Sequence, residues 1–218
     1  CTRLQGKESW FLPFNKGYKD GAGNPPNPDG LMTDYLWKRI LTKEMLSRII
    51  ENYAALIEEK DEETGKPKYK QIFPRYHQLM AVESLLADVK AHGVGKRYLI
   101  QHSAGSGKSN SIAWLAHQLT GLEDAQGNLL VDSVIVVTDR VILDKQIRDN
   151  IRQFAQVGKL IAWAESSGDL RKAIEDGRRI IITTIEKFPY VLPEISEDHK
   201  DRHFAIIIDE AHSSQNGK

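Results

Sequence analysis

The chain has 218 residues, of which 40% are hydrophobic, so it can bury a core and does not fit intrinsic disorder. Its 30 basic and 30 acidic residues give a net charge of zero, so any nucleic-acid contact must come from a local basic patch. The single cysteine, Cys1, excludes an intrachain disulfide framework and fits a reducing cytosol. No apolar run approaches the ~20 residues that a membrane-spanning helix needs.

The N-terminal third is expected to be a linker segment, residues 1–69. Residues 1–30 are punctuated by glycine and proline, which predicts irregular structure. Apolar residues then recur at helical spacing, which predicts a helix over residues 34–59. The charged stretch at 58–66 is best interpreted as a solvated connector. The chain does not begin with methionine and ends soon after a charged motif, so we expect it to be a piece of a longer protein.

From about residue 70 to 218, short apolar runs alternate with helical patterns. Strands are predicted at 98–100, 134–137, 160–163, 180–182 and 204–208, and helices at 75–92, 109–119, 143–154 and 170–176. The apolar runs show no polar alternation, which is typical of strands covered on both faces by helices. The sequence therefore predicts an α/β fold, a doubly wound and mostly parallel sheet.

The strongest local signal is the segment HSAGSGKS at 102–109, which follows a predicted strand and opens a predicted helix. Gly105 and Gly107 allow the tight turn that points backbone N–H groups, including that of Ser106 between them, at phosphates. The helix N-terminus adds the positive end of its dipole. The strict phosphate-loop pattern has glycine where His102 stands, but this departure leaves the phosphate-binding mechanism intact.

Two side chains of this loop have distinct predicted roles. Lys108 is expected to reach the phosphates of ATP, and the Ser109 hydroxyl is expected to ligate Mg²⁺. A chance match to the loop pattern is the alternative, and a second motif argues against it.

That second motif is the acidic pair that follows the run Ile206-Ile207-Ile208. Asp209 and Glu210 come at the carboxyl end of a predicted parallel strand, the edge at which ligands bind in open α/β sheets. Asp209 is expected to hold the Mg²⁺, and Glu210 to deprotonate the water that attacks the γ-phosphate. Acidic residues often follow a strand simply because the chain leaves the core, and this alternative would explain one carboxylate. It does not explain a DEAH sequence about a hundred residues after a phosphate loop.

Weaker signals surround these two motifs. Gln78, at the start of the helix before the loop, can donate to and accept from adenine, as in the Q motif of superfamily 2 helicases. His212 can sense the γ-phosphate. Arg140, Thr183 and Thr184 end predicted strands and suit contacts to a DNA backbone, although helix capping and strand termination explain them about as well.

Several blocks together resemble the R subunit of type I restriction enzymes, a superfamily 2 helicase-like DNA translocase. They are FPRYHQ, QHSAGSGKSNSIAWLAHQL, VIVVTDRVILDKQI, IITTIEKF and IIIDEAHSSQ, together with WFLPFNKG near the N-terminus. Glu186 stands where that family more often has glutamine. The resemblance spans nearly the whole chain.

The resemblance implies an ATP- and Mg²⁺-dependent enzyme that translocates double-stranded DNA and cleaves it far from the recognition site. It implies a bacterial or archaeal cytoplasmic protein that assembles with methylation and specificity subunits. Residues 70–218 would be the first RecA-like motor domain, truncated after the DEAH motif. The nuclease would precede residue 1 and the second RecA-like domain would follow residue 218, so the chain alone is expected to hydrolyse ATP weakly or not at all.

Two alternatives stay open at this point. The chain can belong to another superfamily 2 DNA helicase or to a chromatin-remodeller-like motor. It can also be a degenerate phosphate-loop domain that serves as a binding module, although a module freed from catalysis would not need Lys108, Ser109, Asp209 and Glu210 together.

Overall fold

The computed structural model describes residues 13–60, 65, 67–103, 105–138, 161–191 and 201–209. The chain divides into two compact units, residues 1–81 and 82–218. This division falls later than the expected boundary at 69/70, because the start of the second long helix packs on the N-terminal segment. Phe14 lies against Tyr76 with 5.8 Å between ring centroids, and Tyr35 lies against Tyr76 at 5.2 Å.

The first unit is irregular from 13 to 30 apart from one bridge between Tyr18 and Gly21, as the sequence predicts for this part of the chain. It continues with a π-helical turn, Leu36–Ile40, and with helix α1, Lys43–Asn52. The Thr42 hydroxyl caps α1 by accepting a hydrogen bond from Met45 N–H at 3.3 Å.

The helix predicted over 34–59 was wrong after Asn52. The chain leaves the helix after Asn52 and forms an antiparallel hairpin of β1, Ala55–Lys60, and β2, Pro67–Ile72. Part of the segment expected to be a connector thus belongs to β1. The spacing of apolar residues reports only local structure, whereas β1 is stabilised by backbone pairing with a strand that lies beyond the turn.

Helix α2, Tyr76–His92, ends at Gly93, and helix α3, Lys108–Thr120, follows the glycine-rich loop; both agree with the predicted helices. The other elements of the second unit are strands β3, Ser133–Thr138, β4, Ile161–Trp163, β5, Ile180–Thr184, and β6, Phe204–Ile208, with helices α4, Ser167–Glu175, and α5, Phe188–Val191. A 3₁₀ turn, Ile185–Lys187, joins β5 to α5. The predicted helix at 143–154 lies outside the described residues.

The four strands form one parallel sheet in the order β4-β5-β3-β6. Every residue of β3 and β5 is buried, which confirms the predicted α/β fold with a helix-covered parallel sheet. One face, here called the α4 face, presents Ile135, Val137 and Ile181 to Leu170 and Ala173 of α4.

The opposite face, here called the α3 face, carries the alternate residues of the same strands. Val134 and Val136 of β3 lie in register with Ile180 and Ile182 of β5, and all four are buried. Helix α3 contacts β3, β5 and β6 and is absent from the core of the α4 face. The sheet therefore lies between α3 on one side and α4 with α5 on the other.

The strand predicted at 98–100 does not form. Tyr98, Leu99 and Ile100 are 42%, 87% and 42% exposed, and no strand pairs with them in the described part of the chain. Their apolar character favoured a buried strand, but a strand also needs a neighbour for its backbone N–H and C=O groups. The segment is tied instead to α2, where the Tyr98 hydroxyl donates to the Asp88 carboxylate at 2.8 Å. The pKa of Asp88 is lowered, mainly by this hydrogen bond from Tyr98 and next by a hydrogen bond from Lys96.

Arginine side chains fix the edge of the sheet at which the strands begin. Arg179 donates one hydrogen bond to the carbonyl of Asp132, just before β3, at 2.6 Å and another to the carbonyl of Thr120 at the end of α3. Arg202 donates to the carbonyl of Ile174 in α4 at 2.6 Å. Because the last turn of α3 is held at this edge, the first turn of α3 is directed toward the opposite edge, where the strands end. No described helix is long and apolar enough to cross a membrane.

Candidate nucleotide site

The glycine-rich loop turns through two left-handed residues. Gly105 has φ +72° and Gly107 has φ +84°, a region that residues with a Cβ adopt only at a cost. Between them the Ser106 N–H donates to the carbonyl of Ser103 at 3.2 Å, which closes the turn. The sequence places glycine at the two positions where the backbone requires it.

Helix α3 begins directly after this turn with Gly107 as its N-cap, a residue that has no side chain of its own to cap the first turn. The first turn contains no acidic residue, and its first two side chains, Lys108 and Ser109, are half-buried. Backbone N–H groups at the positive end of a helix dipole, next to a lysine, form an arrangement suited to phosphate.

Asp209 lies at the carboxyl edge of the sheet, immediately after β6, and is 8% exposed. Its N–H donates to the carbonyl of Val137 at 2.9 Å, which extends the pairing of β6 with β3 to this residue. Side chains alternate between the faces of a strand, so Asp209 shares a face with Ala205 and Ile207. Their register partners are Val134 and Val136, which lie on the α3 face.

Two threonines share this edge and face with Asp209. Thr138 ends β3 and Thr184 ends β5, and the two are register partners. Thr138 lies one position past the pair Val137 and Ile208, and is therefore beside Asp209. The carboxyl edge thus presents Asp209, Thr138 and Thr184 as one row on the face covered by α3, the helix that carries the loop.

Thr183 lies on the other face, in one row with Val137 and Ile208. It is 1% exposed, and its neighbours on that face pack against α4 and α5. The DNA contact that the sequence suggested for Thr183 stays a prediction. Thr184 is buried as well, but it stands at the end of β5, directly before the 3₁₀ turn.

The oxygen donors at this edge fit Mg²⁺ and a nucleotide. Mg²⁺ prefers oxygen ligands, keeps several waters, and is usually held by one or two protein groups plus substrate phosphates. The Ser109 hydroxyl and the Asp209 carboxylate are such groups. The buried Thr138 hydroxyl has no hydrogen-bond partner among the described residues, so this edge of the sheet keeps one hydroxyl available to donate a hydrogen bond. No cluster of three or more metal-binding His, Cys, Asp or Glu side chains is found in the same part of the chain.

Gln78 caps its own helix. Its side chain is buried, and its carbonyl oxygen accepts the N–H of Arg75 at 2.8 Å just before the first turn of α2. One lone pair of this oxygen is therefore used within the first unit. Adenine recognition by Gln78 stays a prediction. Glu210, His212 and Arg140, which carry further predictions, lie outside the described residues.

From the sequence alone, Thr138 was assigned no part in the nucleotide site. A signal was present, since Thr138 ends an apolar run just as Asp209 does. What the sequence could not give is the strand order, which makes β3 the direct neighbour of β6. Trp114 of α3 is fully buried and belongs to the core. Burial on the same helix lowers the pKa of His117.

A parallel sheet with a glycine-rich turn at the start of a helix is typical of nucleotide-binding domains. A family comparison agrees with this class. Residues 77–218 match the family model of the SWI2/SNF2 ATPase, which covers well over half of the chain. The chain belongs to the SWI2/SNF2 ATPase family.

A curated relative narrows this assignment. The chain is 33% identical over 159 residues to a protein of Mycoplasma pneumoniae (strain ATCC 29342 / M129 / Subtype 1), and the match covers 66% of this chain and 73% of the relative. That protein is named as the C-terminal part of the endonuclease subunit of a putative type I restriction enzyme, MpnIIP. Within the ATPase family, the chain is therefore a homologue of a type I restriction enzyme endonuclease subunit, as the sequence blocks suggested.

Proposed function

We propose that the chain is the ATP-binding part of an ATP-dependent double-stranded DNA translocase within a type I restriction endonuclease. One observation carries the proposal: the glycine-rich turn opens α3 on the same face and edge of the sheet at which Asp209 follows β6. The family match and the restriction-enzyme relative support the same conclusion.

The chain's own residues divide the work of nucleotide hydrolysis. The left-handed turn at Gly105 and Gly107 presents backbone N–H groups to the phosphates, and Lys108 adds a positive charge. Ser109 and Asp209 would hold Mg²⁺, which neutralises charge on the phosphates when it is bound. Glu210, next in sequence after Asp209, would orient the attacking water and accept its proton. Gln78 would read the adenine, and His212 would respond to the γ-phosphate.

The partners follow from the restriction-enzyme assignment. We propose double-stranded DNA as the track, with Arg140 and Thr184 contributing backbone contacts beside the ATP site. The methylation and specificity subunits of a type I restriction–modification complex would supply recognition of the DNA sequence. Cleavage far from that sequence would be the activity of the assembled enzyme.

The test is ATP hydrolysis by the restriction subunit that contains this chain, measured with and without double-stranded DNA. We expect DNA to stimulate hydrolysis and Lys108→Ala to abolish it. Lys172→Ala is the matched control, because Lys172 is an exposed lysine on α4, on the other side of the sheet. Hydrolysis that DNA does not affect would argue against a motor. Equal losses in the two lysine variants would argue against the assigned role of Lys108.

A second candidate is a remodeller-like motor that works outside restriction, and the family match itself is the observation that favours it. The two functions differ in their partners. Co-purification of the full-length protein with methylation and specificity subunits would support restriction, and DNA-stimulated hydrolysis without them would support the alternative.

A further inference from the structure

The Thr138 hydroxyl is a buried hydrogen-bond donor without a partner among the described residues. Thr138 is 1% exposed, and its Oγ1 makes no hydrogen bond within the described part of the chain. Buried hydroxyls are nearly always hydrogen-bonded in folded proteins, because burial removes the water that would otherwise solvate them. An unused donor of this kind at a ligand-binding edge points to a group that becomes its partner when the site is filled.

The strand register identifies that group. Thr138 lies beside Asp209, the residue after β6, on the face that α3 covers. The hydrogen bond from Asp209 N–H to Val137 O, at 2.9 Å, holds the two strand ends together. Neighbouring strands of a sheet lie about 4.8 Å apart, a gap that a short hydroxyl and a carboxylate at adjacent positions can bridge. Threonine is also stiff about χ1, so its hydroxyl loses little freedom when it is fixed in place.

We propose that Thr138 is a positioning residue for Asp209. Its hydroxyl donates a hydrogen bond to one carboxylate oxygen of Asp209, which leaves the other oxygen directed at Mg²⁺ or its water shell. Carboxylates that ligate metals are themselves commonly held by a hydrogen-bond donor, and loss of that donor typically weakens metal binding about 10–100-fold. The inference rests on the proposed function, since it assumes that Asp209 faces a Mg²⁺–nucleotide complex.

The chain offers a matched control in Thr183. It is also a threonine, is also 1% exposed, and its Oγ1 also lacks a partner among the described residues. It lies near the end of the neighbouring strand β5 but on the α4 face, in the row of Val137 and Ile208. Replacement of either threonine by valine removes one hydroxyl and conserves the shape of the side chain. Only the Thr138 hydroxyl lies on the face of Asp209.

The experiment titrates Mg²⁺ into the 218-residue chain in the presence of a fluorescent ADP derivative, so it measures binding and not turnover. Thr138→Val should raise the Mg²⁺ concentration needed for half-maximal nucleotide binding about tenfold. Thr138→Ser, which restores the hydroxyl, should return most of that loss. Thr183→Val should match the wild type. Nucleotide binding in the presence of a chelator should be the same in all four proteins.

Two results would overturn the inference while leaving the proposed function intact. One is a Thr138→Val protein whose Mg²⁺ dependence equals that of the wild type, and the other is an equal shift in both valine variants, which would indicate a general effect on the sheet. If the wild type itself binds nucleotide without any dependence on Mg²⁺, the proposed function fails and the inference fails with it. Thr138→Ala provides a second hydroxyl-free variant in case the valine protein does not fold.

Discussion

Replacement of Gly105 by alanine separates phosphate binding from folding. Gly105 has φ +72°, and an added Cβ would meet no atom within 4 Å, so the substitution introduces backbone strain without a steric clash. A left-handed conformation costs a residue with a Cβ roughly 1–2 kcal/mol. If the loop keeps its turn, this cost lowers stability and shifts Tm by roughly 2–8 °C. If the loop relaxes, nucleotide binding must restore the turn, and Kd rises by about 5–30-fold.

Gly127 is the control for this prediction. It has φ +84° and equally open space around its Cβ, but it lies in the turn between Glu123 and Leu129, after the end of α3. Gly127→Ala should lower Tm to a similar extent and leave nucleotide affinity unchanged. Calorimetry and a nucleotide-binding titration on both variants give the answer. Equal loss of affinity in the two variants, or no change in either property for Gly105→Ala, would refute the assignment of the left-handed turn to phosphate binding.

Three further results are expected. Lys108→Ala should abolish nucleotide binding and change Tm by less than about 2 °C, because pairs made by partly exposed lysines contribute little to stability; a large fall in Tm would contradict the assigned role. Glu210→Gln in the full-length subunit should bind ATP and fail to translocate, and retained DNA-dependent hydrolysis would remove Glu210 from the role of base. Ser166 and Asp169 cap α4, with Asp169 N–H donating to Ser166 Oγ at 3.1 Å, so Ser166→Ala should lower Tm at neutral pH by about 2–4 °C. The Ser166 hydroxyl also donates to the Asp169 carboxylate at 2.7 Å and lowers its pKa, so this part of the stabilisation is present above the ordinary aspartate pKa and is lost as pH falls through the folded-state pKa. The difference in Tm between wild type and Ser166→Ala should therefore shrink in acid without vanishing, and a constant difference across pH would contradict the proposed bond to the carboxylate.

The sheet was predictable because its strands are uniformly apolar in sequence. Ile180, Ile181 and Ile182 form an apolar run without alternation, and the structure buries all three between helices on both faces. The phosphate-binding turn was predictable for a similar reason, since left-handed backbone at two positions two residues apart strongly favours glycine. In both cases a few consecutive residues are enough to favour the observed structure, without reference to distant parts of the chain.

The errors came from pairing between distant segments. The segment at 98–100 has the composition of a buried strand, yet its backbone finds no neighbour in the described part of the chain. Residues 55–60 continue a helical pattern, yet they pair with residues 67–72. The place of Thr138 beside Asp209 likewise depends on strand order, which the local sequence does not encode.

Equilibrium binding of ATP to the 218-residue chain, with and without Mg²⁺, tests the central claim most directly. The chain should bind ATP, Mg²⁺ should strengthen the binding, and Asp209→Asn should remove most of the effect of Mg²⁺ while the protein keeps its fold. A folded chain that binds no ATP at millimolar concentration, or binding that is indifferent to both Mg²⁺ and Asp209, would contradict the assignment of this sheet edge as the site of an ATP-driven motor.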